Sequence, residues 1–447
     1  MKIAAIILAA GKGTRMKSAL PKPLHAVGGR PMLAWALDAA LAGGAETSVT
    51  ILPPDSKPIQ DWLDGGAFAI QQKALGTGHA VQAAAGHLAD FDGVALIMFA
   101  DTPLITAETL RQLAALVADG SAIGVLGFET DDPTGYGRIV TDHDGSISGI
   151  VEENDATPEQ RDITLVNGGI MAVRTPLLFD LLAQVSPDNA KGEIYLTDII
   201  AIARKDGQRV SVLVTHEDEV IGVNDRVDLA IAEASLQDRL RVAALDNGVT
   251  MRAPDTVFLH ADAIIEQDVV IEPHVVIDAG CHIGEGSIIR AFSHLEGATL
   301  GACCIIGPYA RLRPGTHAGD GVKIGNFVEV KNTELGAGSK ANHLTYLGDA
   351  EIGDGVNVGA GTITCNYDGY NKYKTLIGDG AFIGSNSSLV APVSIGAHAI
   401  IGAGSVINAD IPGDALGLAR APIDIRPDGA KKLHERNAAI KAGTIKK

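Results

Sequence analysis

The chain lacks the composition that defines several common classes of protein. Its 36 Lys and Arg are outnumbered by 54 Asp and Glu, and the formal net charge is −18. A general nucleic-acid binder needs an excess of cations for the phosphate backbone, so this class is disfavoured. For the same reason, any anionic ligand must be held by cations that are concentrated locally.

Cysteines and long apolar runs are also scarce. The four cysteines show neither paired zinc-ligand spacing nor a disulfide framework, and they are Cys281, Cys303, Cys304 and Cys365. No apolar stretch is long enough to span a bilayer, and no signal peptide is recognisable at Met1. The sequence therefore predicts a cytoplasmic protein that has no membrane or nucleic-acid partner.

Glycine and aliphatic residues are abundant instead. With 447 residues and 46% hydrophobic content, the chain can bury two cores. The 53 glycines and only 4% aromatic residues fit close packing of small side chains. We therefore expect two domains.

The C-terminal half repeats every six residues, with a branched aliphatic residue at each sixth position. These positions are Ile265, Ile271, Ile277, Ile283, Ile289 and Leu295, then Leu300, Ile306 and Leu312, then Ile352 and Val358, and then Ile377, Ile383, Leu389, Ile395, Ile401 and Ile407. A helix repeats every 3.6 residues and a flat strand every two, so this period predicts the coils of a parallel β-helix. Three short faces per coil imply a triangular prism with a stacked aliphatic interior.

The hexad period is interrupted at three places. These are the step from Leu295 to Leu300, residues 318–347, and a polar insertion at residues 365–374. A solenoid can be only a rigid scaffold, but its insertions lie on one face and often form the binding surface. The interruptions therefore mark a candidate site.

The N-terminal half alternates apolar strand segments with helical segments. Residues 2–9 form a continuous apolar run typical of a buried parallel strand, and a glycine-rich basic loop follows at 10–16. The further predicted elements are helices at 31–41 and 108–117 and strands at 49–52 and 94–99. This alternation favours a doubly wound α/β domain.

A single helix is predicted between the two halves, over residues 224–245. Asn224 or Asp225 can cap its start, and Asn247 with Gly248 can end it. We therefore expect a first domain at residues 1–226, a helical linker at 227–247 and a second domain at 248–447.

The glycine-rich loop has the chemistry that a triphosphate needs. Residues 11–15 (GKGTR) place flexible backbone N–H donors and two cations directly after a strand. The spacing is not that of a Walker loop, and a tight turn with solvated charges is the alternative. Lys22 lies between two prolines, which would aim its ammonium at a phosphate, although a plain surface lysine is the commoner explanation.

Asp101 follows the strand at 94–99, at the edge where open α/β sheets bind ligands. A carboxylate there is a plausible magnesium ligand, because Mg²⁺ prefers carboxylate and amide oxygens completed by phosphate and water. The alternative role is capping of the next helix.

Several longer motifs resemble those of the sugar-nucleotide pyrophosphorylases. They are LAAGKGTRM at 8–16, LPK at 20–22, LGTGHA at 75–80, DPTGYGR at 132–138 and GEIYLTDI at 192–199. The hexads, HLTYLGD at 343–349 and GAGTITCNYDG at 359–369 extend this resemblance over nearly the whole chain. The chain closely resembles the bacterial bifunctional N-acetylglucosamine-1-phosphate uridylyltransferase/glucosamine-1-phosphate acetyltransferases. This resemblance implies that the second domain is a left-handed β-helix.

For the first domain, the resemblance implies uridylyl transfer from UTP to N-acetylglucosamine 1-phosphate, with no protein nucleophile. Arg15 and Lys22 would act on the phosphates, and Asp101 and Asn224 would share Mg²⁺. The residues that match nucleotide contacts are Leu8, Ala9, Ala10, Gly11 and Lys22, and those that match uracil contacts are Gln71, Gly76 and Thr77. The residues that match contacts to the N-acetylated sugar are Gly137, Glu152 and Asn167, and Asn224 is also among the residues that match UDP-N-acetylglucosamine contacts.

For the second domain, the resemblance implies acetyl transfer from acetyl-CoA to the amine of glucosamine 1-phosphate. His343 matches the general base that takes the amine proton. Arg313, Lys331, Tyr346 and Asn357 would hold the sugar phosphate. The residues that match acetyl-CoA contacts are Ala360, Asn366, Tyr367, Ser385, Ala403 and Arg420.

The chain departs from the family pattern at three places. The family's Tyr-Gly-Asp is FAD at 99–101, its Asn-Thr-Gly is NGG at 167–169, and Asn342 stands where a glycine often precedes the histidine. Ala100 adds a methyl group where the backbone is expected to approach the ligand.

The resemblance also implies a homotrimer with the acetyl-transfer site between subunits. Other interpretations are a monofunctional nucleotidyltransferase whose hexads are an oligomerisation or regulatory module, and a binding protein with a decayed site. A zinc site like that of the γ-carbonic anhydrases is a further alternative, but no ligand triad is evident.

Overall fold

The structure is a computed structural model that describes residues 1–142, 146–189 and 191–446. The chain forms two compact units. The first comprises Met1–Ala243 with Leu259–Ala261, and the second comprises Ala244–Phe258 with Asp262–Lys447. In the described ranges, no helix has the length and apolar character that crossing a membrane requires.

The first unit is built from eleven strands and eight α-helices among its described residues. The strands are β1 Ile3–Leu8, β2 Ala26–Val27, β3 Arg30–Pro31, β4 Thr47–Leu52, β5 Phe68–Ile70, β6 Val94–Phe99, β7 Ile123–Glu129, β8 Arg138–Thr141, β9 Ile147–Val151, β10 Leu165–Arg174 and β11 Val210–Thr215. The helices are α1 Met32–Ala42, α2 Lys57–Leu63, α3 Thr77–Gln82, α4 Ala107–Ala118, α5 Pro158–Arg161, α6 Thr175–Leu182, α7 Asp198–Lys205 and α8 Arg226–Asp246. Short 3₁₀ turns lie at Thr14–Met16, Lys22–Leu24, Ala85–His87 and Glu217–Glu219.

The main sheet has the order β11-β7-β10-β6-β1-β4-β5, and β1 pairs in parallel with both β4 and β6. All six residues of β1 are buried. Helices α1, α2 and α4 cover one side of the sheet, and α3, α6 and α7 cover the other. The predicted doubly wound α/β architecture is therefore confirmed.

The predicted elements of this unit are also confirmed, with small shifts at their ends. The connecting helix α8 begins at Arg226, because Asp225 Oδ1 accepts the N–H groups of Val227 (2.8 Å) and Asp228 (3.2 Å). Asp225 rather than Asn224 is thus the cap, which leaves the Asn224 side chain free for other contacts.

The second unit is a parallel β-helix with a short final helix, α9 Gly429–Lys441. Its strands are β12 Thr250–Met251, β13 Phe258–Leu259, β14 Ile264–Ile265, β15 Val270–Ile271, β16 Val276–Ile277, β17 His282–Ile283, β18 Ile288–Ile289, β19 His294–Leu295, β20 Ala298–Leu300, β21 Ile305–Ile306, β22 Arg311–Leu312, β23 Thr316–Ala318, β24 Lys323–Asn326, β25 Glu329–Leu335, β26 Lys340–His343, β27 Tyr346–Ile352, β28 Asn357–Val358, β29 Ile363–Cys365, β30 Thr375–Ile377, β31 Phe382–Ile383, β32 Ser388–Val390, β33 Val393–Ile395, β34 Ile400–Ile401, β35 Val406–Ile407 and β36 Leu416–Gly417. One 3₁₀ turn, Pro254–Thr256, precedes β13.

Three faces make up the prism. Face one is the sheet β12-β15-β18-β21-β24-β26-β28-β31-β34-β36. Face two contains β16, β19, β22 and the first residues of β25 and β27, and face three contains β17, β20, β23 and the last residues of β25 and β27. The predicted aliphatic positions point inward, as for Ile289 and Leu295, which are both 0% exposed.

The interruptions of the hexads are changes in coil length. A regular coil is three hexads long, as from Val270 to its partner Ile288, whereas the coil from Glu329 to its partner Tyr346 is slightly shorter. The coil that contains the polar insertion is much longer, because Asn357 pairs with Phe382. The prism itself therefore continues through all three interruptions.

Two adjacent isoleucines provide a test of which side chains point into the prism. Ile401 is 0% exposed and Ile400 is 49% exposed, although both lie in β34. Ile401→Ala should lower the free energy of unfolding of this unit by about 2–5 kcal/mol, because it leaves a cavity between coils. Ile400→Ala should cost below about 0.5 kcal/mol. Urea unfolding followed by circular dichroism measures both, and equal effects would contradict the assigned faces.

Candidate active sites

A cleft of about 290 Å³ opens at the carboxyl ends of the central strands of the first unit. Leu8 ends β1 opposite Phe99, which ends β6, and Gln71 follows β5. The predicted residues that line this cleft are Leu8, Ala10, Gly11, Gln71, Gly76, Thr77 and Asp101. The sheet thus gathers residues from four separate sequence segments at one edge.

Glycines let the loops of this cleft pack closely. Gly13 has φ +58°, and a Cβ on it would lie 2.6 Å from Lys22 Cβ. Gly76 has φ +105°, and a Cβ there would lie 2.5 Å from the Ile194 carbonyl oxygen. Both positions need glycine, since another residue would be strained and would clash.

Lys22 joins the two predicted metal ligands. Its ammonium forms an ion pair with Asp101 and donates to Asn224 Oδ1 at 3.3 Å. Arg15 Nη2 donates to the same oxygen at 3.0 Å. Asn224 is held in turn by its N–H, which donates to Asp228 Oδ2 at 2.8 Å. The side-chain oxygens of Asp101 and Asn224 therefore both face the Lys22 ammonium. One carboxylate oxygen and one amide oxygen are also donors that Mg²⁺ prefers.

The three predicted sugar contacts form a second group. The Asn167 N–H donates to the Gly137 carbonyl oxygen at 2.8 Å, and a Cβ on Gly137 would lie 3.5 Å from Glu152 Oε2. Thr197, which was not predicted, donates to Glu152 Oε1 at 3.1 Å. Burial, followed by the charges of Glu152 and Asp155, raises the pKa of the neighbouring Asp198.

Two alanines near the cleft do not expose their side chains to it. Ala9 is 4% exposed, and its N–H donates to the Ile51 carbonyl oxygen at 2.9 Å. Ala100 is 1% exposed and packs into the core on the opposite side of the sheet from Phe99. The methyl group expected to crowd the ligand at position 100 therefore points away from the cleft.

In the second unit, His343 belongs to a column of residues on successive coils. The N–H of Leu344 donates to the Asn326 carbonyl, that of Gly361 to the His343 carbonyl, and that of Asn386 to the Ala360 carbonyl. The N–H of Gly404 likewise donates to the Ser385 carbonyl. Arg420 Nη1 donates to the Ala403 carbonyl at 2.8 Å. The column is Asn326, His343, Ala360, Ser385 and Ala403. Coil register therefore aligns the predicted base with three of the six predicted acetyl-CoA contacts, and the side chain of a fourth, Arg420, reaches the end of the column.

His343 also borders an open cleft of about 250 Å³, with Arg290, Lys323 and Asn342 on its other walls. Its Nδ1 lies 3.0 Å from Asn326 Oδ1. Because a carbonyl oxygen can only accept, this contact favours the neutral tautomer that has its proton on Nδ1 and leaves Nε2 as the basic nitrogen. Sequence reasoning missed Asn326, although it occupies the position that pairs with His343 on the preceding coil.

The predicted sugar-phosphate cations meet on face two. Arg313 and Lys331 follow the paired positions Leu312 and Val330 on adjacent coils. Lys372, from the polar insertion, was not predicted to be there. Contact with its ammonium, with a smaller contribution from Arg313, lowers the pKa of Lys331. Glu329 pairs with Arg313 at 2.9 Å and Asp349 acts on Lys331, so the three cations exceed the neighbouring carboxylates by one, which suits an anionic ligand.

The polar insertion is anchored by a buried carboxylate. Asp349 is 7% exposed and accepts hydrogen bonds from Asn332 Nδ2 at 2.6 Å and from Asn366 Nδ2. The Tyr373 N–H donates to the Asn366 carbonyl at 2.9 Å, and Tyr367 forms a bridge with Lys372. This small hairpin carries Asn366 and Tyr367 together with Lys372.

One predicted contact lies elsewhere on the chain. Asn357 pairs with Lys340 and Phe382 on face one, whereas Arg313, Lys331 and Tyr346 are on face two. Tyr346 lies beside Lys331 on face two, since a Cβ on Gly348, the partner of Lys331, would clash with the Tyr346 hydroxyl. One chain therefore brings three of the four sugar-phosphate residues together.

The comparisons with known proteins agree with both units. A model of the MobA-like NTP transferase domain matches residues 5–209, and the bacterial transferase hexapeptide (six repeats) matches 262–297 and 374–409. A Bifunctional protein GlmU of Sphingopyxis alaskensis is 49% identical over 100% of this chain and 99% of its own length. Another from Azorhizobium caulinodans is 51% identical over 96% of each chain. This chain belongs to the GlmU family.

Membership in the GlmU family confirms the predicted fold class, including the left-handed β-helix of hexapeptide repeats. It also confirms a bifunctional enzyme whose uridylyltransferase and acetyltransferase activities make UDP-N-acetylglucosamine. Among solved structures, a UDP-glucose pyrophosphorylase complexed with UDP-glucose is 18% identical, covers 54% of this chain and 100% of its own, and has a TM-score of 0.45. In the described part of the chain, no three His, Cys, Asp or Glu residues are grouped as metal ligands, so the zinc alternative gains no support.

Asn326 can be tested through the acetyl-transfer reaction. Asn326→Ala should lower kcat about tenfold with little change in KM, because a general base contributes about 10²–10⁴ and part of this needs the correct tautomer. Asn326→Asp should move the acidic limb of the pH–rate profile to higher pH, because a carboxylate favours the imidazolium. Asn342→Ala, in the same cleft, is the control. Unchanged profiles for both Asn326 variants would contradict this role.

Proposed function

We propose that residues 1–226 carry out uridylyl transfer, that residues 248–447 carry out acetyl transfer, and that residues 227–247 join them. The observation that carries this division is the separation of two cation clusters. Arg15 and Lys22 contact the side-chain oxygens of Asn224 and Asp101 in the first unit, whereas Arg313, Lys331 and Lys372 cluster in the second unit, which also carries His343. Each cluster suits a phosphorylated sugar, and only the first suits a metal-dependent reaction.

Acetyl transfer comes first. The amine of glucosamine 1-phosphate forms a bond to the thioester carbon of acetyl-CoA, and His343 Nε2 accepts the proton that the amine sheds. The carbon–sulfur bond then breaks, and the sulfur takes the proton from His343. The products are N-acetylglucosamine 1-phosphate and free CoA.

The residues around His343 position these substrates. Arg313, Lys331 and Tyr346 would hold the phosphate of the sugar, and Lys372 would close over it. Ala360, Ser385, Ala403 and Arg420 would bind an extended acetyl-CoA along the column. Four strand spacings separate His343 from Arg420, which is a length of about 19 Å. Asn366 and Tyr367 would contact the donor from the hairpin.

In uridylyl transfer, an oxygen of the sugar phosphate attacks the α-phosphorus of UTP, and the bond to the pyrophosphate oxygen breaks. Gln71, Gly76 and Thr77 would bind uracil, and Leu8 to Gly11 would follow the nucleotide. Gly137, Glu152 and Asn167 would hold the N-acetylated sugar for in-line attack. Arg15 and Lys22 would neutralise the charge that develops on the phosphates.

Asp101 and Asn224 would hold the divalent metal, and their oxygens support Mg²⁺ in particular. When bound, Mg²⁺ would neutralise phosphate oxygens and help to fix the α-phosphate for attack. We further propose a cytoplasmic location.

The division of the sugar-phosphate residues between two faces supports a homotrimer. Asn357 is on face one, whereas Lys331, which would hold the phosphate, is on face two of the same chain. In a cyclic assembly, face one of one copy can lie opposite face two of the next. We therefore propose that each acetyl-transfer site is completed by Asn357 of a neighbouring copy.

The two activities should be separable by single substitutions. His343→Ala should lower acetyl transfer by about 10²-fold or more and leave uridylyl transfer intact, because only the first reaction needs a base. Asp101→Asn should have the opposite effect, and only uridylyl transfer should require added Mg²⁺. Coupled assays of each reaction on the full chain measure this. Loss of both activities in either variant would contradict the two-site assignment.

The subunit-shared site should show complementation. Lys331→Ala and Asn357→Ala should each abolish most acetyl transfer as pure homotrimers. Co-expressed with separate tags and isolated as mixed trimers, they should regain activity at sites where an intact Lys331 faces an intact Asn357. A matched mixture of Lys331→Ala with Arg313→Ala should not recover, because both residues lie on one face. Equal recovery in both mixtures would contradict the proposal.

A further inference from the structure

The Lys22 ammonium occupies the space between the two oxygens that are proposed to bind the metal. It contacts both Asp101 and Asn224, and its side chain is only 11% exposed. The Asp101 side chain is 28% exposed, so solvent screens this contact only in part. A divalent cation cannot bind the same two oxygens while the ammonium remains there.

The backbone favours this position of Lys22. Pro21 and Pro23 flank it and restrict the chain, and Lys22 begins a short 3₁₀ turn. The stem of the side chain passes over Gly13 of the glycine-rich loop, where no Cβ could fit. The restricted backbone and the packing of the stem over Gly13 thus direct the Lys22 ammonium to Asp101.

The competing charges decide when a metal can enter. Without nucleotide, Lys22 already neutralises Asp101, and a free divalent cation would have to displace it without providing it with another anion. With a triphosphate present, the phosphate oxygens offer Lys22 a new anionic partner within the same loop. The exchange then becomes favourable, because each carboxylate and each phosphate keeps a counter-ion.

We propose that Lys22 is an internal counter-ion that keeps free divalent metal off Asp101 and Asn224, so that the metal enters only together with the nucleotide. This inference rests on the proposed function of Asp101 and Asn224 as metal ligands. It gives Lys22 a role in selecting the metal–nucleotide complex over the free metal, in addition to its contact with phosphate.

Binding of Mn²⁺ to the nucleotide-free full chain tests the proposal without any turnover. The free ion is measured by its electron paramagnetic resonance signal during a titration. Lys22→Met should tighten the Mn²⁺ Kd by about 5- to 100-fold, the range of typical coupling between two bound species. Lys12→Met removes the same charge from the same loop without a contact to Asp101, and it should change the Kd less than about threefold.

Two outcomes would overturn the proposal. The first is a Mn²⁺ Kd in Lys22→Met that is equal to or weaker than that of the unsubstituted protein, with an unchanged melting temperature. The second is equal tightening in Lys12→Met, which would show a general charge effect. Adding Asp101→Asn to Lys22→Met should abolish the tight binding. If it does not, the metal site itself is assigned wrongly, which separates failure of the proposed function from failure of this inference.

Discussion

Parallel pairing of strands decides where the candidate residues of both units lie. In the first unit, it aligns the carboxyl ends of β1, β4 and β6, so that loops from distant parts of the sequence meet at one edge. In the second unit, it aligns coil on coil, so that one position in each turn forms a column with its neighbours above and below. The hydrogen bonds that build the fold therefore also set the geometry of the sites, and they keep the column at His343 aligned although its coils differ in length.

This register explains what could and could not be predicted from the sequence. The hexads predict the β-helix, because neither a helix nor a flat strand has a period of six. The alternation of apolar strand segments with helical segments predicts the α/β unit. The positions of Asn326 and Lys372 could not be predicted, because regular, shortened and extended coils follow one another without a clear signal at the corners. The Ala100 methyl group was expected to face the ligand. In the structure it packs on the opposite side of the sheet from Phe99, and the sequence does not show which of these two residues faces the cleft.

Local charge is the second constraint, because the chain as a whole is anionic. The first site compensates its cations internally: Lys22 faces Asp101, and Arg15 faces the amide oxygen of Asn224. The second compensates Arg313 with Glu329 at 2.9 Å, but Lys331 and Lys372 face each other. A phosphate that enters the second site relieves this repulsion, whereas one that enters the first must first take Lys22 from its carboxylate.

The difference in charge compensation between the two sites matches the chemistry of the two reactions. Uridylyl transfer separates two highly charged phosphate groups, so a divalent ion would help to neutralise them, and a carboxylate such as Asp101 would receive that ion. Acetyl transfer converts an amine and a thioester into a neutral amide and a thiol, so its main requirement is a base with a fixed tautomer. Asp349, a buried carboxylate, accepts hydrogen bonds from the amides of Asn332 and Asn366 and so anchors the hairpin, while its charge partly offsets the lowering of the Lys331 pKa by Lys372.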